Sequence, residues 1–279
     1  MKNSINFIFV FCLILKNFSQ INCCAKKNSN ESFAMLSKDK QFILSHLEPE
    51  TFFLTDKIGK DINFTTPTGK TGYAYEIKTA KASNNYLFVF HEWWGLNDHV
   101  KEEAEKLFNS LGNVNVIAID LYNKKVATVR DSANKYMNEV KTEAAEDLIK
   151  GAINYAGKKA SIATIGWCFG GGWSLQCAIL AGKQTKACVM YYGMPEENKE
   201  KIKKLDAPVL FVFAEQDKWI NKEVVEKFEK NMKEEKKQIE VKSYDAVHGF
   251  ANPSNPKYAK EFAEEAFNYS VDFIKKNLK

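Results

Sequence analysis

Hydrophobic positions along the chain follow two rhythms. Short apolar runs recur at residues 86–91, 114–121, 161–165, 186–192 and 209–214, and residues 239–244 read as the last strand. Runs of that length with no polar alternation mark strands buried on both faces. Between them, residues 99–111, 130–156, 173–181, 222–236 and 257–278 place apolar side chains at helical spacing. In the last of these, Phe262, Ala266, Tyr269, Phe273 and Ile274 share one face. Asn97 or Asp98 can cap the first helix, and Asn221 or Lys222 opens the fourth. Residues 62–66 and 73–78 alternate about the turn Pro67-Thr68-Gly69 and predict hairpin strands. Residues 31–60 show helical spacing near Phe42, Ile43 and Leu47 and no other pattern. Strands and helices alternate from residue 86 onward. That order predicts an α/β class: a mostly parallel central sheet of about eight strands with helices on both faces. Neither repeats nor an internal linker interrupt it, so residues 33–279 read as one domain.

The first 24 residues break the pattern. Lys2 precedes an apolar run over residues 5–15, too short to span a bilayer as a mature helix, and this reads as an export signal. Ile21-Asn22-Cys23-Cys24 resembles a loose lipoprotein box, so a lipid anchor at Cys23 or Cys24 and plain cleavage nearby are both open. An uncleaved membrane anchor is the remaining alternative. Residues 25–32 are expected to be a tether, and the location is expected to be exported: periplasmic, secreted or lipid-anchored.

Composition changes the picture little. Of 279 residues, 45% are hydrophobic and 27% charged, as in a globular protein. The net charge of +5 is interspersed, with no basic stripe for nucleic acid. Of six cysteines, Cys12, Cys23 and Cys24 fall in the leader region. Cys177 and Cys188 sit in apolar segments and are expected in the core. Cys168 is different.

Cys168 stands in Gly166-Trp167-Cys168-Phe169-Gly170-Gly171, between a predicted strand and a predicted helix. A tight turn flanked by glycine at that junction holds a nucleophile out at the sheet's carboxyl edge, at a helix N-terminus. Three further polar groups follow predicted strands: Glu92, Asp217 and His248. Nucleophile, Asp, His is the chain order of α/β hydrolases. Cys168 would attack, His248 would move its proton, and Asp217 would orient His248. His46, His91 and His99 are weaker candidates for the base.

These residues resemble the dienelactone hydrolase family. The motifs are His91-Glu92-Trp93-Trp94-Gly95-Leu96-Asn97, Asp120-Leu121-Tyr122, the turn around Cys168, Gln216-Asp217 and His248-Gly249-Phe250, spread over residues 60–277. The resemblance implies the α/β-hydrolase fold and a triad of Cys168, Asp217 and His248. It implies that Glu92 holds and activates the thiol. It places an oxyanion hole at the backbone N–H groups of Phe169 and Trp93, with the side chains of Trp93, Trp94 and Phe169 as pocket walls. The family binds a substrate carboxylate with two arginines. Arg130, the sole arginine of the chain, falls within a residue of the first; Asn252 stands at the second. The expected activity is hydrolysis of a small ester or lactone through a cysteine thioester, by a monomer needing neither cofactor nor metal. A broader carboxylesterase or thioesterase, or a non-catalytic ligand-binding surface protein of the same fold, are the alternatives.

Overall fold

The computed structural model describes residues 29–278. The leader, with Cys12, Cys23 and Cys24, lies outside the described residues. The elements, in order, are α1 (Ser29–Leu36), α2 (Lys40–Ser45), β1 (Lys60–Thr65), β2 (Thr71–Ile77), β3 (Asn85–Phe90), α3 (Asp98–Leu111), β4 (Asn115–Ile119), α4 (Arg130–Glu139), α5 (Thr142–Ala156), β5 (Ser161–Trp167), α6 (Phe169–Ala181), β6 (Thr185–Tyr191), α7 (Lys199–Ile202), β7 (Val209–Ala214), α8 (Lys222–Glu234), β8 (Ile239–Tyr244) and α9 (Lys260–Asn277).

One eight-stranded sheet runs in the order β1-β2-β4-β3-β5-β6-β7-β8. β1, β2 and β4 pair antiparallel; every pair from β4 through β8 is parallel. The chain steps from β3 to β4 in one direction and crosses back to β5, so right-handed connections put α3 and the helices after β4 on opposite faces. α3 packs with α9 on one side; α1 and α5 pack with α6 on the other. The central strands are buried throughout their second halves, as their unbroken apolar runs require. α6 is buried almost throughout because it lies directly under β5 and β6.

Asn97 caps α3 by accepting from the Val100 N–H at 3.1 Å, and Asn221 caps α8 in the same way. The stretch expected as one helix over residues 130–156 is two. Val140 leaves helical geometry at φ −70°, ψ 109°, and its side chain packs on the core. No Gly or Pro marks that break, so tertiary packing sets it. α6 begins at Phe169, immediately after Cys168, rather than at Trp173.

Residues 31–60, unreadable in the sequence, carry two helices and an extended segment. Helix α1 starts at Ser29, inside the stretch expected as a tether. Ser29 is buried, and its hydroxyl accepts from Gln176 of α6 at 2.8 Å. Phe33 and Phe42 meet edge-on at 5.5 Å and are both buried. Asp39 accepts from the indole N–H of Trp219 at 2.9 Å, tying α2 to the loop after β7.

Candidate active site

Parallel strands deliver their loops to one edge of the sheet. β3 ends before His91 and Glu92, β5 before Cys168, β7 before Asp217, and β8 before His248. The four expected groups therefore converge. Cys168 sits at φ 56°, ψ −120°, a conformation L side chains rarely adopt. Its neighbours must be glycine: a Cβ on Gly166 would lie 2.2 Å from the Gly170 carbonyl oxygen, and one on Gly170 would lie 2.3 Å from that of Phe90. That close crossing of β5, α6 and β3 brings the Phe169 N–H to the Cys168 sulfur.

His248 donates from Nδ1 to Asp217 at 2.5 Å. The other Asp217 oxygen accepts from the backbone N–H groups of Trp219 and Ile220, at 2.9 and 3.0 Å. Those bonds aim the carboxylate. Burial works against charge on His248, but Asp217 and the Cys168 sulfur outweigh it and hold the imidazole pKa well above its usual value. Burial likewise works against Asp217, and His248 outweighs it to lower the carboxyl pKa. Burial pushes the Cys168 thiol up, opposed by His248. His248 Nε2 is buried with no hydrogen-bond partner, and a ring nitrogen of His248 lies within 4.8 Å of the sulfur.

Glu92 shares the pocket with Cys168, and its hydrogen bonds go elsewhere. Its carboxylate accepts from Asn252 Nδ2 and, at 3.5 Å, from the Tyr192 hydroxyl. Burial pushes its pKa up to about 7, against the pull of His248, Asn252 and Tyr192. Asn252, standing where the family has arginine, binds this acid instead of projecting a cation. The sulfur's neighbour is His46: its Nε2 lies 3.7 Å from Cys168 Sγ, and its Nδ1 donates to the Phe42 carbonyl at 2.8 Å. The His46 ring meets Trp93 at 4.4 Å and His248 at 5.1 Å, both tilted, at 52° and 60°. Burial pulls its pKa down to about 3, with His248 adding to the effect, so it is neutral. The sequence offered His46 only as one of several bases, because nothing local connects α2 to the Cys168 turn.

The remaining histidines have other partners. His91 donates from Nδ1 to the Glu92 carbonyl at 2.6 Å and accepts at Nε2 from the Leu121 N–H at 3.1 Å, which braces the Glu92 turn. His99 meets the Glu50 carbonyl at 3.1 Å. Arg130 is not brought to the site. It pairs with Glu48 at 3.7 Å, because the N-terminal segment presents that carboxylate beside the start of α4. Cys177 and Cys188 are free, buried thiols of the core.

A small pocket of about 20 Å³ includes His46, Glu92, Trp94, Cys168, His248 and Asn252 in its lining. An adjoining hollow of about 40 Å³ shares Glu92, Trp94 and Asn252 and adds Val100, Glu103 and Trp167. Among the described residues that line either space, none is Lys or Arg.

Residues 71–278 match the Dienelactone hydrolase family. The chain belongs to that family. It is 28% identical over 215 residues to Protein usf of Aquifex pyrophilus, a match covering 72% of this chain and 92% of that protein. It is 26% identical over 137 residues to a carboxymethylenebutenolidase of a Pseudomonas species, covering 46% of this chain and 55% of that one. A dienelactone hydrolase-like promiscuous phosphotriesterase from metagenomic libraries has the same fold, with a TM-score of 0.65 at 18% identity over 79% of this chain and 99% of the other. This dienelactone hydrolase-type chain is thus a carboxylic ester hydrolase of the α/β-hydrolase fold.

Proposed function

We propose that the chain hydrolyses small, neutral esters or lactones through a thioester on Cys168. The observation that carries this reading is His248, held by Asp217 at 2.5 Å, with a ring nitrogen within 4.8 Å of the sulfur of a strained, glycine-flanked turn. Cys168 attacks the carbonyl carbon as its proton passes to His248. The carbonyl electrons move to oxygen, and the N–H groups of Phe169 and Trp93 are the donors for that charge. His248 then protonates the departing alkoxide. Water, deprotonated by His248, cleaves the thioester and returns the thiol. Asp217 stabilises the imidazolium at each stage.

The lining supports neutral substrates. A substrate carboxylate would meet Glu92 and Glu103, and neither lining holds a Lys or Arg to receive it; Lys106, 3.8 Å from Glu103, lies outside both. The test is hydrolysis of p-nitrophenyl acetate before and after iodoacetamide, and kcat/KM for matched esters with and without a carboxylate. Alkylation should abolish turnover, the neutral ester should be accepted at least as well as the anion, and Arg130→Ala should leave that ratio unchanged. Turnover that survives stoichiometric alkylation of Cys168 rules out the thioester; a strong preference for the anion rules out the pocket assignment.

A further inference from the structure

His46 does more than fill space beside the nucleophile. One ring nitrogen of His46, one of His248 and the sulfur of Cys168 all lie within 4.8 Å of one another. We infer that His46, Cys168 and His248 form a binding site for a thiophilic divalent cation of the zinc type, whose occupancy switches the hydrolase off. The inference deepens the proposed role of Cys168 and His248 and rests on that reading only for its effect on turnover.

The donor set is the first argument. Two imidazoles and a thiolate suit zinc, which binds sulfur at about 2.3 Å and imidazole nitrogen at about 2.0–2.1 Å in a tetrahedron. Those bond lengths put a sulfur and a nitrogen ligand about 3.6 Å apart. The observed separation of Cys168 Sγ from His46 Nε2 is 3.7 Å. The remaining pairs, within 4.8 Å, close on an ion with shifts of about 1 Å.

The outer contacts are the second argument. Histidines that ligate metals usually donate their other ring N–H to a carboxylate or a backbone carbonyl, which fixes the tautomer and directs the lone pair. Here both do. His248 donates from Nδ1 to Asp217 at 2.5 Å, and His46 donates from Nδ1 to the Phe42 carbonyl at 2.8 Å. His248 Nε2 is buried without an oxygen or nitrogen partner. His46, Cys168 and His248 all line the same pocket of about 20 Å³, room for one water to complete a tetrahedral shell.

The consequence follows from the lone pairs. Binding releases the thiol proton to solvent, and the sulfur lone pair goes to the ion and cannot attack an acyl carbon. His248 Nε2 is likewise committed and cannot carry a proton. His46 lies outside residues 71–278, the part of the chain that matches the family, so the third ligand comes from the segment N-terminal to that match.

The experiment uses the full chain and zinc chloride, with competition against a chromophoric chelator, followed by cobalt(II) as a spectroscopic probe. Wild type should take up one saturable equivalent lost in Cys168→Ala, and cobalt should give a thiolate-to-metal charge-transfer band. His46→Gln should weaken zinc by at least the ~10–100-fold that loss of an outer partner brings about, and His46→Cys should restore it. Zinc should inhibit wild type in proportion to that occupancy, and inhibition of each variant, scaled to its own zinc-free rate, should track its affinity. Uptake that is equal in wild type, His46→Gln and Cys168→Ala, or absent from wild type, overturns the site. Zinc uptake by a chain with no esterase activity would instead leave the site standing and remove the proposed function.

Discussion

Cys168 is held at positive φ by the crossing of β5 and α6. A non-glycine residue in such a conformation stores about 1–3 kcal/mol, which the surrounding packing must outweigh. Removing the sulfur leaves that backbone and its glycine neighbours in place. Cys168→Ala is therefore expected to fold normally, with a Tm close to wild type, while ester hydrolysis falls by roughly 10⁴-fold or more. Purified variant that keeps both its Tm and its turnover would show that the sulfur is not the nucleophile. Glu103 gives a prediction of another kind. Burial pushes its carboxyl from 4.5 up to about 6, with Lys106 opposing and Glu102 adding; Tyr191 and Tyr258, also near it, stay neutral in this range. The folded state thus holds a proton that the unfolded chain has lost, so this group's contribution falls as pH rises from about 4.5 to about 6. A shift of that size corresponds to an upper bound of about 2 kcal/mol, and the side chain is 21% exposed, which reduces it. Glu103→Gln should match wild type near pH 4.5 and exceed it by about 1–2 kcal/mol at pH 7.5. Urea unfolding at the two pH values measures this; a constant difference between the proteins would contradict it.

At the scale of elements, α1 and α2 form the flap of chain that brings His46 to the sulfur. Their grip is aromatic. Phe42 is fully buried, 5.5 Å from Phe33, 4.4 Å from His46 and 5.2 Å from Trp219. Truncating a buried Phe to Ala typically destabilises by about 3–5 kcal/mol. Beyond these packing contacts the flap is tied to the domain by a few side-chain hydrogen bonds, Ser29 with Gln176, Ser37 with Asn138 and Asp39 with Trp219, so its opening is expected to be a local event below global unfolding. Phe42→Ala should therefore raise amide exchange chiefly over residues 29–46, with β3, β5 and β6 still protected. Exchange that rises uniformly over the sheet would show the flap and the core to be one cooperative unit. This flap is also where the sequence was least legible. The central strands, the Gly166–Gly170 turn and the Asn97 and Asn221 caps announce themselves because their signals are local: an apolar run, a glycine spacing, a capping side chain. α2 is six residues long and owes its place to contacts across more than 100 positions, such as Cys168 with His46. The break at Val140 is equally silent, since no helix-breaking residue precedes it. Asn252 lines the pocket as expected and Arg130 does not, but the partner of each was silent for a related reason. The motif fixes where they fall along the chain, but Glu92 and Glu48 decide what they bind.

For the whole molecule, the open question is how the folded domain meets the leader. The apolar run over residues 5–15 behind Lys2 has the form of an export signal, and cleavage normally falls a few residues beyond such a run. The fold sets the other limit. Ser29 and Asn30 are 2% and 6% exposed, and the Ser29 hydroxyl accepts from Gln176 at 2.8 Å. Cleavage within α1 would break that bond and expose Phe33, which packs at 6.0 Å on Phe169 beside the nucleophile. A cut between Phe18 and Lys27 removes the whole apolar run and leaves α1 intact, so the proposed export is compatible with the fold in that window. No helix among the described residues is long and apolar enough to cross a membrane. We predict a mature chain starting between Phe18 and Lys27, near Cys23 or Cys24, recovered outside the cytoplasm. Intact mass of protein purified from its native cells measures it. A diacylglyceryl mass on Cys23 or Cys24 would establish a lipid anchor and a bare new N-terminus plain secretion, whereas an unmodified chain retaining Met1 in the soluble cytosol would overturn export.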